Sequence, residues 1–330
     1  MCNLIGVYAI KNKNSIERKN SQSGGAFIEF AKYVLSLSGV VYGSYMEDTN
    51  HVKHIRVDSL EKIHILQGSK YVQSEIGNSY SMAKKDLQEG KIVLFSGTSC
   101  QIDGLKSYLH KEYLNLFTID IICHGVPSPM VWSDYVQWVE KRRRRKIRKV
   151  DFREKTIFPW GWHIDKLIFD DNSVSYGETY TNLFYGHNIL RPSCYNCPYK
   201  NLHHSSDITI GDYWGIDDVL PEFSDENGVS MVLVNSIQGK EYFDNVVQNY
   251  ISIETGIPKN LQQPLYESCS KPDNREQFWR EYYKESFQYI AKKYGGWNWM
   301  EPLKIFKKYQ IYLIKKNIKN IRRKLLYENK

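Results

Sequence analysis

The sequence predicts an α/β protein with a mixed central sheet, a parallel βαβ unit and a helical C-terminal tail. Three observations lead there. Two short apolar runs, 91–95 and 116–123, flank a helical pattern that ends at Leu109. That is the spacing of a strand, a crossover helix and a second strand parallel to the first. Further strand-like pieces alternate with helical stretches between Ala26 and Asn249, and the last fifty residues are aromatic, basic and patterned as helices.

Taken in order, Ser23-Gly24-Gly25 opens a helix over 26–37 that stops before Gly39, and short strands follow at 40–42 and 52–57. After the 91–95 strand, Ser96-Gly97-Thr98-Ser99-Cys100 leads into the helix ending at Leu109. The 116–123 run is closed by His124-Gly125-Val126-Pro127. A helix starting at Pro129 enters the basic run 141–149. Strands are expected at 149–152 and 166–169, a helix at 179–190, strands at 206–211 and 231–234, and a helix at 240–249. Gly295-Gly296 punctuates the terminal helices. The expected division is a body over 1–250, in two parts of about 1–140 and 150–250, and an extension over 251–330.

Composition narrows the class. With 42% hydrophobic and 25% charged residues among 330, a sizeable core is expected and wholesale disorder is excluded. Mean hydropathy is −0.53. No run approaches the roughly 20 apolar residues of a membrane span, and the start lacks a signal-peptide pattern, so a cytoplasmic protein is expected. The net charge of +8 is local. Residues 304–330 carry ten Lys/Arg against Glu328 alone, and 141–149 adds eight more, so the rest of the chain is acidic. No stacking aromatics interleave the 141–149 run, which argues for a solvated helix end rather than a nucleic-acid site. GxGxxG after a strand, GxxxxGK[ST], HExxH and GxSxG are missing, which disfavours dinucleotide dehydrogenases, P-loop NTPases, zincins and serine hydrolases.

Cysteines carry the clearest chemistry. Cys100 and Cys123 each sit just past the carboxyl end of a strand of the βαβ unit, where open α/β sheets bind ligands. Cys194-Tyr195-Asn196-Cys197-Pro198 is a CxxC whose two sulfurs can face one metal centre. Together they make four thiolates, the number that a [4Fe–4S] cluster or a structural zinc requires. Taken singly, Cys100 and Cys123 also read as small apolar residues, and Cys123-His124 as a thiolate–imidazole nucleophile pair. Cys2 and Cys269 have no partner at a useful spacing.

Three segments suit a phosphate or a flavin. Ser23-Gly24-Gly25 combines approachable backbone with a helix start. Gly68-Ser69-Lys70-Tyr71 offers a cation, hydroxyls and a ring. Asp207, Gly211 and Asp212 surround a short strand. Their plain alternatives are a serine cap, a polar turn and an ordinary strand end.

Six motifs in order then resemble one family: Ser21-Gln22-Ser23-Gly24-Gly25; Gly68-Ser69-Lys70-Tyr71-Val72-Gln73-Ser74; Phe95-Ser96-Gly97-Thr98-Ser99-Cys100-Gln101; Asp120-Ile121-Ile122-Cys123-His124-Gly125-Val126-Pro127; Arg191-Pro192-Ser193-Cys194-Tyr195-Asn196-Cys197; and Ser206-Asp207-Ile208-Thr209-Ile210-Gly211-Asp212-Tyr213-Trp214-Gly215. Together they resemble the coenzyme F420 hydrogenase/dehydrogenase beta subunit family, over about 7–249. The resemblance implies an iron–sulfur flavoprotein passing electrons between a [4Fe–4S] cluster, FAD and a two-electron acceptor such as coenzyme F420. It would make Cys100, Cys123, Cys194 and Cys197 the cluster ligands. Ser23, Gly24, Gly25, Ser69, Lys70, Gly97, Thr98, Asp207, Gly211 and Asp212 become the candidate cofactor contacts. Ser99 stands where the family usually has proline. Many bacterial members carry an N-terminal ferredoxin module, and this chain starts where that module would end, so a separate ferredoxin or electron-donor subunit is the expected partner. Bacterial relatives among surface-polysaccharide genes imply that pathway as the setting. The competing expectation is a non-redox glycan-pathway protein with a structural zinc site.

In the tail, Ile311, Ile314, Ile318, Ile321 and Leu325 recur at steps of three and four among lysines and arginines. Such a basic amphipathic helix suits an anionic membrane surface or an acidic partner, and equally a helix docked on the core with its basic face in water.

Overall fold

Short, fully apolar runs form strands covered on both faces, and that is how the centre of this protein is built. The computed structural model of the chain describes residues 4–257 and 262–328, with side chains described through residue 318. Its strands are β1 (Gly6–Asn12), β2 (Val40–Met46), β3 (Val52–Val57), β4 (Val93–Thr98), β5 (Leu116–Ile121), β6 (Ile147–Asp151), β7 (Asp165–Phe169), β8 (Val174–Gly177), β9 (Ile208–Asp212), β10 (Ser230–Val234) and β11 (Tyr250–Glu254). The helices are α1 (Ser15–Asn20), α2 (Phe27–Ser36), α3 (Ser79–Gln88), α4 (Ser99–Leu109), α5 (Pro129–Arg143), α6 (Thr179–Tyr185), α7 (Ile216–Val219), α8 (Ile237–Val246), α9 (Arg275–Tyr282), α10 (Phe287–Lys293) and α11 (Glu301–Glu328).

Eight strands form one mixed sheet in the order β11-β1-β10-β9-β5-β4-β2-β3. The four inner strands β9, β5, β4 and β2 run parallel, and antiparallel strands complete both flanks. The expected βαβ unit is β4–α4–β5, with its strands adjacent, parallel and in register from Val93↔Leu116 to Thr98↔Ile121. Side chains alternate between faces along each strand. Leu94, Phe117 and Ile119 pack with Phe30 and Phe243 from α2 and α8. Val93, Phe95 and Leu116 pack with Leu87, Ile102 and Leu105 from α3 and α4.

Strands β6, β7 and β8 form a second, antiparallel sheet. Trp132 and Tyr135 of α5 and Tyr180 of α6 join Phe152, Leu167 and Phe169 in the core beside it, which Phe278 and Ile290 of α9 and α10 complete. The chain past residue 250 is therefore built into the fold: Tyr250 opens β11, which pairs with β1, and α9 and α10 fill the second core.

The structure changes several expected elements. β1 had no counterpart in the sequence reading, yet it lies inside the sheet between β10 and β11. The helix expected over 179–190 stops at Tyr185, because Gly186 is followed by His187 with φ +60°. The basic run 141–149 is not one helix end. α5 closes at Arg143, Arg144 turns with φ +53°, and β6 begins at Ile147. Part of its charge is met locally, with Lys146 on Glu140, Arg145 on Asp171 and Arg142 over the Trp138 and Trp297 rings.

Gly24 shows how tightly α2 is seated. Its N–H donates to Ser230 Oγ at 2.9 Å, and a Cβ there would lie 2.1 Å from the Ile10 carbonyl oxygen and 2.7 Å from the Ser230 nitrogen. Backbone cannot yield as a flexible side chain can, so Gly24→Ala is expected to cost about 3 kcal/mol. Urea unfolding of the variant measures it, and a loss within about 0.5 kcal/mol would show that β1 and β10 move apart freely.

Candidate functional site

At the carboxyl ends of β4 and β5 the chain leaves the sheet in two directions, and both exits carry a cysteine. Cys100 is the second residue of α4. The helix start is fixed by Gln101, whose side-chain oxygen accepts from the Thr98 N–H at 3.0 Å, and the Thr98 hydroxyl lies 3.1 Å from Cys100 Sγ. Cys123 follows β5 by two residues, and Ile122 still donates its N–H to the Ile210 carbonyl of β9.

The CxxC loop is fastened to these exits. Ser128 and Arg191 donate backbone N–H groups to Ile189 and Val126, and the Val126 N–H reaches Cys194 Sγ at 3.4 Å. The Tyr199 hydroxyl donates to Asp103 of α4 at 2.7 Å. Lys200 donates to the carbonyls of Cys123 and His124. Cys197 exchanges hydrogen bonds with Ser268 through its N–H and its carbonyl. Cys100, Cys194 and Cys197 lie near enough to Cys123 to act on it electrostatically, with Cys100 exposed and the other three half-buried.

Burial pushes the Cys123 thiol up to about 12; Lys200 opposes this, while the thiols of Cys100, Cys194 and Cys197 reinforce it. Burial raises the Cys194 thiol as well. A thiol held protonated is a poor nucleophile, which counts against the Cys123-His124 nucleophile reading. His124 also turns away from that role, with its Nε2 2.8 Å from His187 Nε2. The buried Cys269, which the sequence left without a partner, donates to the His124 carbonyl at 2.8 Å. Cys2 lies outside the described residues.

Beside the cysteines opens a cavity of about 880 Å³, within the usual size for cofactor and ligand sites. Its wall includes Ser23, Ser69, Lys70, Gly97, Thr98, Gly211 and Asp212 of the candidate cofactor contacts, together with Cys123 and His124. Gly24, Gly25 and Asp207 lie outside that wall. Gly24 seats α2 against β1 and β10, and Gly25 turns the chain into α2 with φ +78°. Asp207 stitches the sheet: its carboxylate accepts from the N–H and hydroxyl of Thr118 at 2.8 and 2.6 Å, and from the Ser236 hydroxyl at 2.6 Å.

Charge is concentrated on the cavity wall. Arg153, 3% exposed, pairs with Asp212, which also accepts from the Ser23 hydroxyl. The guanidinium lies beside the stacked Trp160 and Trp214 rings, 5.6 and 5.7 Å from their centres. Its Nε is buried without a hydrogen-bond partner among the described residues. Burial lowers the Lys70 ammonium to about 7 although the side chain is only half-buried by area, and Lys70 donates to the Leu66 and Gln67 carbonyls at 2.9 Å. Gly68 has φ +80° and nothing within 4 Å of where a Cβ would stand, so the backbone beside Lys70 is bare. An orphaned guanidinium donor, a desolvated ammonium and bare backbone make a donor set that fits an anionic cofactor.

Residues 90–259 match the profile for the C terminus of the beta subunit in the coenzyme F420 hydrogenase/dehydrogenase family. That is more than half of the chain, and it includes all four cysteines. The chain belongs to this family. A chain of the F420-reducing [NiFe] hydrogenase complex from Methanosarcina barkeri, solved as a xenon derivative, shares the fold with a TM-score of 0.54 at 16% identity, over 92% of both chains. No curated protein matches. Membership makes the chain a redox protein of the hydrogenase/dehydrogenase beta subunit kind.

Part of the cavity wall is not legible in the sequence, namely Arg153, Trp162, His163 and Tyr185, and Trp214 is visible there only as part of a motif. One signal was available. Arg153, Glu154 and Lys155 are consecutive charged residues directly after a strand and its aromatic Phe152, and all three are buried.

Burial holds the His54, His124 and His163 imidazoles down at about 4, so they are neutral at pH 7. Between about 4 and 6.5 the unfolded chain binds more protons at these sites than the folded one. Their contribution to stability is therefore complete above pH 6.5 and lost as pH falls toward 4. His54 accounts for part of it, with Nε2 2.9 Å from the Ser96 carbonyl and the ring stacked on Phe95. Thermal midpoints should fall steeply from pH 6.5 to 4 and less steeply in His54→Gln. Parallel profiles for the two proteins would refute the assignment to His54.

Proposed function

We propose that this chain is an iron–sulfur flavoprotein oxidoreductase in which Cys100, Cys123, Cys194 and Cys197 hold a [4Fe–4S] cluster and the adjoining cavity holds FAD. When bound, the cluster exchanges single electrons and the flavin exchanges pairs, which links a one-electron donor protein to a two-electron acceptor such as coenzyme F420. The observation that carries this reading is continuity: one cavity runs from Ser23 and Lys70 to Cys123 and His124.

The chain's own groups have definite tasks on this reading. Lys70 and Arg153 supply positive charge for a diphosphate, and the bare backbone at Gly68 lets it approach. Lys70 sits near its midpoint at pH 7, so an anionic ligand favours its charged form and binding takes up a proton there. Asp212 holds Arg153 in place, and Ser23 holds Asp212. Exposure of Cys100 leaves one edge of the cysteine site open to an electron-donor partner.

Four cysteines suit either a [4Fe–4S] cluster or a structural zinc, and metal and sulfide content distinguish the two.

Protein purified without oxygen should be brown and carry about four iron, about four sulfide and one flavin per chain. Cys194→Ser is expected to lose the iron while keeping its near-ultraviolet circular dichroism. Lys70→Ala should keep the iron and bind flavin about tenfold more weakly, since a charge-assisted contact is worth roughly 1.5 kcal/mol. A colourless protein with one zinc would overturn the proposal.

A further inference from the structure

α11 carries two apolar faces on opposite sides. At 100° per residue, Ile305, Tyr309, Tyr312 and Lys316 share one side of the helix, and this side is docked. Ile305 is buried with Phe158 and Ile164, and the Tyr309 and Tyr312 rings meet Trp162. Lys308 pairs with Glu178 at 3.0 Å and Lys316 with Glu226 at 2.5 Å. Glu301 accepts from the Glu178 N–H and the Thr179 hydroxyl, each at 2.9 Å. Of the isoleucine stripe seen in the sequence, Ile311, Ile314 and Ile318 are on the other side. Leu303, Phe306, Ile311, Ile314 and Ile318 fall on that face and are 44–64% exposed. Trp299, 77% exposed, stands just ahead of it. The helix is thus docked on the core, through Ile305, Tyr309 and Tyr312 rather than through Ile311, Ile314 and Ile318.

We infer that this free face of α11 lies on an anionic lipid surface. The face is apolar and the exposed Lys304, Lys307 and Lys315 border or interrupt it, so their ammonium groups can reach a headgroup layer while the apolar side chains enter it. Residues 304–330 carry ten Lys/Arg against one acid, a density that attracts acidic headgroups. The same charge opposes pairing with a second copy, because two such segments would be pressed together. The length of 28 residues gives about 42 Å of helix lying in the interface. No helix among the described residues is long and apolar enough to cross a membrane, so the contact is along the surface.

Docking there would also orient the cavity. Trp162 and Glu178 both line it and both touch the docked side of α11. The lipid surface would lie on the far side of the helix that forms this rim.

The test uses the full chain and sedimented vesicles of equal phosphatidylglycerol and phosphatidylcholine, compared with vesicles of phosphatidylcholine alone. Binding to the anionic vesicles should be at least about tenfold tighter and should weaken in high salt. The double substitution I311E/I314E, on a solvent-facing side, should lower that binding about tenfold or more with unchanged circular dichroism. K315E should lower it on anionic vesicles alone. Failure to sediment with anionic vesicles would overturn the inference. So would a dimer, seen by sedimentation velocity, that I311E/I314E dissolves, or retention on immobilised polyglutamate without vesicle binding.

Discussion

The register of β4 against β5 is the constraint on which the rest depends. Because the strands are parallel and Thr98 lies opposite Ile121, both chains leave the sheet on the same edge, one into α4 and one into the 122–128 segment. Cys100 and Cys123 are thereby placed on one edge before any side chain is chosen. A one-residue slip would turn each β5 side chain to the other face, exchanging Phe117 and Ile119 with Leu116 and Thr118. Apolar packing on both faces holds the register, since each face has its own helix layer and its own ring partners.

The second requirement is electrical. Arg153 is buried and its partner Asp212 half-buried on a separate element, so removing Asp212 would leave the guanidinium unpaired in a low dielectric, at a cost of up to roughly 3–5 kcal/mol. Lys155, lowered to about 7 chiefly by burial, donates to the Ser23 carbonyl at 2.8 Å and the Asn227 carbonyl at 3.2 Å. A core built for stability alone would use apolar groups here. Retaining desolvated charges beside a large cavity is the arrangement expected where a charged ligand supplies the missing partner.

Much of this was legible in the sequence, for identifiable reasons. Strands covered on both faces read as unbroken apolar runs, so the β4–α4–β5 unit and the positions of Cys100 and Cys123 followed from local pattern. The CxxC was legible because two cysteines on one short loop leave a fixed spacing. β1 was not legible: Val7, Ala9 and Ile10 are small or split between two cores, and its place depends on β10 and β11, more than 200 residues away. The Arg153–Asp212 pair was hidden for the same reason, since no local pattern couples residues 59 apart. Gly24 and Gly25 were noticed for a ligand, while the structure uses their lack of a side chain for close packing and a turn. The tail stripe was visible, but which side of α11 would dock was set by Phe158, Trp162 and Glu226.

X-ray absorption at the iron and zinc edges of protein prepared without oxygen tests the central claim most directly. The account predicts iron ligated by sulfur, with further iron atoms as near neighbours, and loss of that signature when any one of the four cysteines is replaced by serine. A single zinc surrounded by four sulfurs, with no metal neighbour, would contradict it.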